Sequence, residues 1–200
     1  MAAHRGRPDV VVLGLARGGV PVGWEIAAAL QAPLDVFLVR KLGVPNWPEL
    51  AMGAIASGGG LVVNDHLIRS LGVTSEQLDA VIASETAELR RREDAYRGGD
   101  PVVDLGGREV ILVDDGIATG ASMFAALQAV RASGPARLVV AVPVGPRSAY
   151  RRLREQVDEV VFAVMPDRFE AVGQVFADFH QISDDEVRAT LATPTVPSGA

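Results

Sequence analysis

Short apolar runs that alternate with helical patterns are the feature that most constrains this fold. Helical patterns cover residues 22–30, 122–132 and 148–156. Between and beside them, five runs have the length and composition of buried strands: residues 10–15, 34–39, 110–113, 138–144 and 160–164. Such alternation is typical of a parallel sheet with helices on both faces. The sequence therefore predicts an α/β fold with a doubly wound, mostly parallel sheet.

Two stretches interrupt this alternation. Residues 51–64 hold two apolar segments around three consecutive glycines, 58–60, which is the pattern of a β-hairpin and predicts a small hood-like element. Thr74 with Gln77 forms a capping box that opens a further helix, and Ser183 with Glu186 opens a short last one. The end of the first of these helices, residues 85–97, is mostly charged and must face water, a partner or a ligand.

The composition limits the function classes. The 200 residues, 48% hydrophobic, suit one domain over residues 1–200, with residues 1–8 and 194–200 expected to be frayed ends. A formal net charge of −6 gives no overall basic field for nucleic acid or an anionic membrane. The chain has no cysteine, which excludes disulfides and thiolate metal sites and suits the cytoplasm, and no apolar run is long enough for a membrane span. Any phosphate site must therefore be local.

The most informative segment is VILVDDGIATGAS, residues 110–122. Its apolar strand delivers Asp114 and Asp115 to the carboxyl edge of the sheet, where open α/β sheets bind ligands. Small and hydroxyl residues follow, so backbone N–H groups can approach an anion where the next helix begins. A phosphate beside two carboxylates needs hydroxyls or Mg²⁺ between them, which points to a ribose 5-phosphate. An isolated Asp-Asp pair would more often be a solvated turn, but the whole segment favours the ligand site.

This segment resembles the phosphoribosyl pyrophosphate signature of type I phosphoribosyltransferases. The resemblance implies that Asp114 and Asp115 bind the ribose 2- and 3-hydroxyls, and bind Mg²⁺ only indirectly, through those hydroxyls or water. It further implies that the following residues hold the 5-phosphate: Ala118, Thr119, Gly120, Ala121 and Ser122. Gly116 departs from the family pattern, in which an aliphatic residue or serine is more usual. Residues 173–186 resemble the end of a group of phosphoribosyltransferases whose acceptor is uncharacterised.

Two other segments carry candidate cations. The turn GLARGGVP, residues 14–21, follows the first strand, and the resemblance gives Arg17, Gly18 and Gly19 the role of binding pyrophosphate. Without the resemblance, this turn would more often be ordinary strand-to-helix geometry. Arg40 and Lys41 follow the second strand, where the family carries a Lys or Arg; alternatively they form a solvated strand end.

The role of two further segments stays open at this stage. The arginines of residues 85–97 fit either a lid that closes over pyrophosphate or an exposed helix in which Glu88 faces Arg91 or Arg92. Phe169 and Asp167, after the last strand, are candidates for acceptor recognition, although an aromatic residue there is more often packing.

The resemblance implies a Mg²⁺-dependent enzyme that moves ribose 5-phosphate from phosphoribosyl pyrophosphate to a purine- or pyrimidine-like base. Asp114, Asp115, Arg17 and Lys41 are the expected catalytic residues. A rival hypothesis keeps the site but not the reaction: a regulatory module that senses phosphoribosyl pyrophosphate or a nucleotide. Neither hypothesis involves nucleic acid or a membrane, and the sequence leaves the oligomeric state open, a homodimer included.

Overall fold

The computed structural model describes residues 4–195 and contains two sheets. Five parallel strands have the order β2-β1-β6-β7-β8: β1 (Val10–Leu15), β2 (Leu34–Phe37), β6 (Glu109–Val113), β7 (Arg137–Val144) and β8 (Glu159–Val164). A small antiparallel sheet has the order β3-β4-β5: β3 (Val39–Val44), β4 (Trp47–Ala56) and β5 (Gly60–Val63). The predicted α/β class and parallel sheet are confirmed.

Six helices accompany these strands in the described part of the chain. They are α1 (Gly19–Leu30), α2 (Asp65–Ser70), α3 (Ser75–Arg97), α4 (Ala121–Ala132), α5 (Arg147–Arg154) and α6 (Asp184–Ala192). Alternation of side chains along the parallel strands gives two cores: one face packs against α1, and the other against α4 and α5. A third core joins the small sheet to α3 and α6. No helix among residues 4–195 has both the length and the apolar character that a membrane crossing needs.

The chain changes direction between β1 and β6. From β1 it passes through α1 to β2 on one side, whereas from β6 it runs through α4 to β7 and on to β8 on the other. Helices α1 and α4 therefore cover opposite faces, and the loops that follow β1 and β6 diverge at a topological switch point. Open α/β sheets bind ligands in the crevice at such a point.

Three sequence predictions about this framework need correction. Residues 34–39 do not form one strand, because Leu38 exchanges hydrogen bonds with Ser57 (3.0 Å to Oγ and 2.9 Å from its N–H) and Val39 then joins the small sheet. Residues 4–8 are not frayed: His4 is buried and its Nδ1 lies 2.7 Å from Glu109 Oε1. Thr195 likewise bonds to the Ala32 carbonyl at 2.8 Å, while residues 1–3 and 196–200 lie outside the described range.

Candidate active site

The acid pair stands at the carboxyl end of a fully buried strand. All five residues of β6 are buried, and Asp114 and Asp115 follow it at the partly buried floor of the crevice. The Asp115 N–H donates to Asp114 Oδ1 at 2.9 Å. Burial, with the neighbouring Asp115 charge, raises the pKa of Asp114 to about 7, and burial also raises the pKa of Asp115. Both carboxylates are thus poorly hydrated, and partners that donate hydrogen bonds or carry positive charge would stabilise their ionised forms.

The turn that follows the pair exposes backbone donors. Gly120, with φ of 82°, sits immediately before α4 and provides no side-chain cap; the Ala121 N–H reaches Thr119 Oγ1 at 3.4 Å. The turn, Asp114 and Val172 line a cavity of about 200 Å³. Uncapped N–H groups and the positive end of the helix dipole favour an anion here.

The distribution of helix caps supports this assignment. Side chains cap the N-termini of α2, α3 and α6 through Asn64, Thr74 and Ser183. Helices α1, α4 and α5 have no such side-chain bond, and all three begin just after a parallel strand. The uncapped helix ends are therefore those at the carboxyl edge of the sheet.

Packing explains why this chain has Gly116 where the family pattern usually has an aliphatic residue or serine. A Cβ built on this buried glycine would lie 2.5 Å from Val172 Cγ1 and 2.9 Å from Val144 Cγ1. Val172, from a short 3-10 turn over Val172–Val175, thus fills the space of the side chain that the family pattern would place here. The packing around Gly116 therefore leaves no space for a side chain at this position.

The turn after β1 contacts the acid pair directly. A Cβ built on Gly18 would overlap Asp115 Oδ2, and one built on Gly19 would lie 2.5 Å from the Val113 carbonyl oxygen. The Ala16–Arg17 peptide is cis, and α1 begins at Gly19 without a side-chain cap. The structure therefore brings the two glycine-containing turns together around Asp115.

The candidate cations lie in different surroundings. Arg17 borders the crevice, with its Nη1 3.5 Å from Asp184 Oδ1 of α6. Arg40 and Lys41 belong to β3 instead of a loop, and Arg40 Nε is 2.5 Å from Glu85 Oε2 of α3. Lys41 is exposed, and its side chain lies on the face of β3 opposite to that of Arg40. No carboxylate of residues 4–195 lies within 4 Å of its amine. Of this pair, Lys41 remains the candidate ligand group.

The charged segment 85–97 is the second half of the long helix α3, which the Thr74–Gln77 capping box opens as predicted. Both Arg91 and Arg92 pair with Glu88, at 2.7 and 2.8 Å. The side chain of Arg97 is only 5% exposed, and its Nε donates to Asp35 Oδ1 at 2.9 Å. The structure therefore shows the exposed-helix alternative, with Arg97 serving to fasten the helix to β2.

A second cavity adjoins the acid pair on the side of the first turn. It measures about 390 Å³, and its lining consists of Arg17, Gly18, Asp115 and residues 179–182. Phe179 is 48% exposed, and its ring centroid lies 5.1 Å from that of Phe176. The residues that the sequence suggested for acceptor recognition do not line either cavity. Asp167 has an exposed side chain 3.6 Å from Arg147, and Phe169 is absent from the lining of both cavities.

Sequence reasoning missed Phe179, Asp184 and Tyr96 as neighbours of the site. In the sequence, Gly173, Phe176 and Phe179 follow one another at intervals of three, and this spacing was an available signal. The structure packs Phe179 against Gly173, since a Cβ on Gly173 would lie 2.7 Å from Phe179 Cδ1. Nothing in the local sequence marks Asp184 or Tyr96, because their proximity to Arg17 arises from the packing of α3 against α6.

Comparison with known proteins gives consistent results. Residues 3–179 match the family model described as phosphoribosyl transferase domain. Two proteins of Mycobacterium tuberculosis strains CDC 1551 and H37Rv, each named as a phosphoribosyl transferase, are 51% identical over 182 residues, which is 91% of this chain. The chain spans only 41% of the length of these relatives.

Two further matches extend over most of both partners. The crystal structure of TT1426 from Thermus thermophilus superposes with a TM-score of 0.80 at 46% identity, covering 93% of this chain and 88% of that one. The bifunctional protein PyrR of Roseiflexus sp. is 28% identical over 197 residues, or 98% of this chain and 86% of its own length.

Proposed function

The chain belongs to the phosphoribosyl transferase domain family, and from that premise we propose that it is a Mg²⁺-dependent phosphoribosyltransferase. The reaction moves ribose 5-phosphate from phosphoribosyl pyrophosphate to a nitrogenous, purine- or pyrimidine-like base and releases pyrophosphate. The observation that carries this proposal is the meeting of the buried acid pair, Asp114 and Asp115, with two uncapped helix N-termini at the switch point.

Each part of the donor substrate has a matching group. The 5-phosphate binds the turn at residues 118–122, where the α4 N-terminus offers backbone donors. The ribose diol donates hydrogen bonds to Asp114 and Asp115, which compensates the carboxylates for the water they have lost. The pyrophosphate binds the turn of Arg17, Gly18 and Gly19, with Lys41 as a further cation.

The donor atoms present suit Mg²⁺ held largely by substrate. No cluster of three or more His, Asp or Glu side chains that could hold a metal occurs among residues 4–195. Mg²⁺ usually keeps several waters and binds substrate oxygens, and Asp114 and Asp115 would hold it indirectly, through the ribose hydroxyls or water. When bound, the cation supplies positive charge that neutralises the departing pyrophosphate.

The residues of the chain act on the reaction through position and charge. As the bond from C1 to pyrophosphate breaks, positive charge grows on the ribose ring and negative charge on the leaving group. Asp114 and Asp115 hold the ring, while Arg17 and the α1 N-terminus stabilise the leaving group. Arg17 and Phe179 line the same 390 Å³ cavity, so an acceptor stacked on the exposed ring of Phe179 would lie beside the pyrophosphate bound at Arg17.

The test is pyrophosphate release. The full chain is incubated with phosphoribosyl pyrophosphate, Mg²⁺ and a panel of purine and pyrimidine bases. We expect release with at least one base, and a loss of turnover on the order of 1,000-fold in the Asp114→Asn, Asp115→Asn double variant, because the diol loses both acceptors. Asp79→Asn, on the exposed face of α3, is the matched control and should retain full turnover. Turnover that survives in the double variant would refute the assigned roles.

The sensor hypothesis makes a different forecast for the same assay. A regulatory module would bind phosphoribosyl pyrophosphate in a calorimeter, with dependence on Asp114 and Asp115, yet release no pyrophosphate with any base. Binding without turnover across the panel would therefore replace the transferase proposal with the sensor.

A further inference from the structure

One carboxylate oxygen of α6 joins three elements around the pyrophosphate turn. Asp184 Oδ1 lies 3.5 Å from Arg17 Nη1, and the Tyr96 hydroxyl of α3 donates to the same oxygen at 2.7 Å. Tyr96 is buried, while the side chain of Asp184 is 55% exposed. The arrangement places an internal anion against the guanidinium that the proposed function assigns to the leaving group.

The surroundings keep this contact in its charged form. The hydrogen bond from Tyr96, together with Arg17 and Arg92, lowers the pKa of Asp184. Burial and the Asp184 contact raise the pKa of Tyr96 to about 12, so the phenol remains a donor at neutral pH. Asp184 is therefore ionised and its Oδ1 stays directed towards Arg17.

A diphosphate and the Asp184 carboxylate would compete for the same guanidinium of Arg17. The cavity that Arg17 and Gly18 border is also lined by residues 179–182, which lead directly into α6. A diphosphate on Arg17 would bring several negative charges close to Asp184 as well as to Asp115, and like charges at this range repel. A strongly charged anion can displace the Asp184 carboxylate from Arg17, whereas a weakly charged anion gains less binding energy from Arg17.

We infer that Asp184 is a specificity-determining residue: it occupies Arg17 in the free protein, and diphosphate must displace it. The inference rests on the proposed function in assigning Arg17 to the diphosphate. Binding and the contact between α6 and the β1 turn are then linked reciprocally, so that diphosphate loosens the start of α6 and a firm α6 weakens diphosphate binding. The Tyr96 hydrogen bond keeps Asp184 in place to make this competition.

Calorimetric titration of the full chain with inorganic pyrophosphate and Mg²⁺ tests the inference. A partly exposed ion pair contributes about 0.2–1 kcal/mol, so Asp184→Asn should tighten pyrophosphate binding by about 1.5- to 5-fold. Asp184→Glu, which keeps the charge, should restore weaker binding. The matched control is Asp185→Asn, because Asp185 is the next residue of α6, pairs with Arg188 and should leave the affinity unchanged.

Hydrogen exchange gives a second measurement, which pyrophosphate would not change if Asp184 had only a structural role. Pyrophosphate should speed exchange of the amides at residues 184–188 in the wild-type chain and leave them unchanged in Asp184→Asn. Equal or weaker pyrophosphate binding in Asp184→Asn, relative to Asp185→Asn, would overturn the inference. If bases are still turned over in that case, the proposed function stands alone; if neither pyrophosphate nor phosphoribosyl pyrophosphate binds the wild-type chain, both fail.

Discussion

Asp114 should destabilise the free protein at neutral pH, and Asp114→Asn should relieve that cost. The burial that raises the pKa of Asp114 from its ordinary 3.8 to about 7 favours the protonated side chain in the folded state. Asparagine has nearly the same shape, carries no charge, and keeps an oxygen that can accept the Asp115 N–H. The variant therefore removes the ionisation cost without opening a cavity.

The pKa gives the magnitude and its pH dependence. A change from 3.8 to about 7 corresponds to at most about 4 kcal/mol, since each pKa unit is worth about 1.4 kcal/mol. Water that reaches the partly buried carboxylate reduces this to about 2 kcal/mol. Below pH 3.8 the carboxyl is protonated in both folded and unfolded chains and costs nothing. The cost grows as pH rises, because the unfolded chain releases its proton first, and is complete above pH 7.

Urea unfolding between about pH 4 and pH 8, followed by tryptophan fluorescence, measures this difference. We expect Asp114→Asn to exceed the wild-type free energy of unfolding by a few tenths of a kcal/mol at about pH 4, rising to about 2 kcal/mol at about pH 8. Asp79→Asn, at an exposed position, should show no such trend. A gain independent of pH, or a loss of stability at the alkaline end, would refute the reasoning about burial. With Mg²⁺ and phosphoribosyl pyrophosphate present the stability advantage of Asp114→Asn should shrink, because the wild-type chain gains more binding energy than the variant.

Three further changes test packing around the site and the N-terminal edge of the sheet. Gly116→Val should cost about 1–3 kcal/mol of unfolding free energy through overlap with Val172, and adding Val172→Ala should recover most of it; no recovery would argue against the filled position. Gly18→Ala should weaken pyrophosphate binding in calorimetry, because its methyl group displaces the Asp115 carboxylate beside the turn, and unchanged affinity would contradict the close approach of the two turns. Glu109→Gln should lower the free energy of unfolding by about 3 kcal/mol in urea, because it removes the buried charge beside His4; a loss below about 0.5 kcal/mol would show that the pair contributes little.

The sequence predicted the sheet well because β1, β6 and β7 are apolar runs that are buried over most of their length. Residues 10–15 are strand β1 to the residue, and the other parallel strands differ by one or two positions at their ends. The break at Leu38 was not predictable, because it depends on Ser57, nineteen positions away, whose side chain and N–H both bond to it. Apolar periodicity cannot show where a continuous run passes from one sheet to another.

The residues of the candidate site were likewise predictable only in part. Asp114, Asp115 and the turn at 118–122 were recognisable because their chemistry is contiguous in sequence. Phe179 and Asp184 were missed because α6 returns to the crevice through tertiary packing. Trp47, the first residue of β4 in the small sheet, is 62% exposed although it is a large aromatic residue. Local motifs therefore predict the candidate donor site, while the groups around it depend on the fold.

A crystal structure with ribose 5-phosphate and Mg²⁺ is the most direct test of the proposed binding mode. We expect the phosphate group within hydrogen-bond distance of the backbone N–H groups of residues 118–122, and the 2- and 3-hydroxyls on Asp114 and Asp115. The compound bound anywhere else, or bound with its hydroxyls turned away from both aspartates, would contradict the central claim.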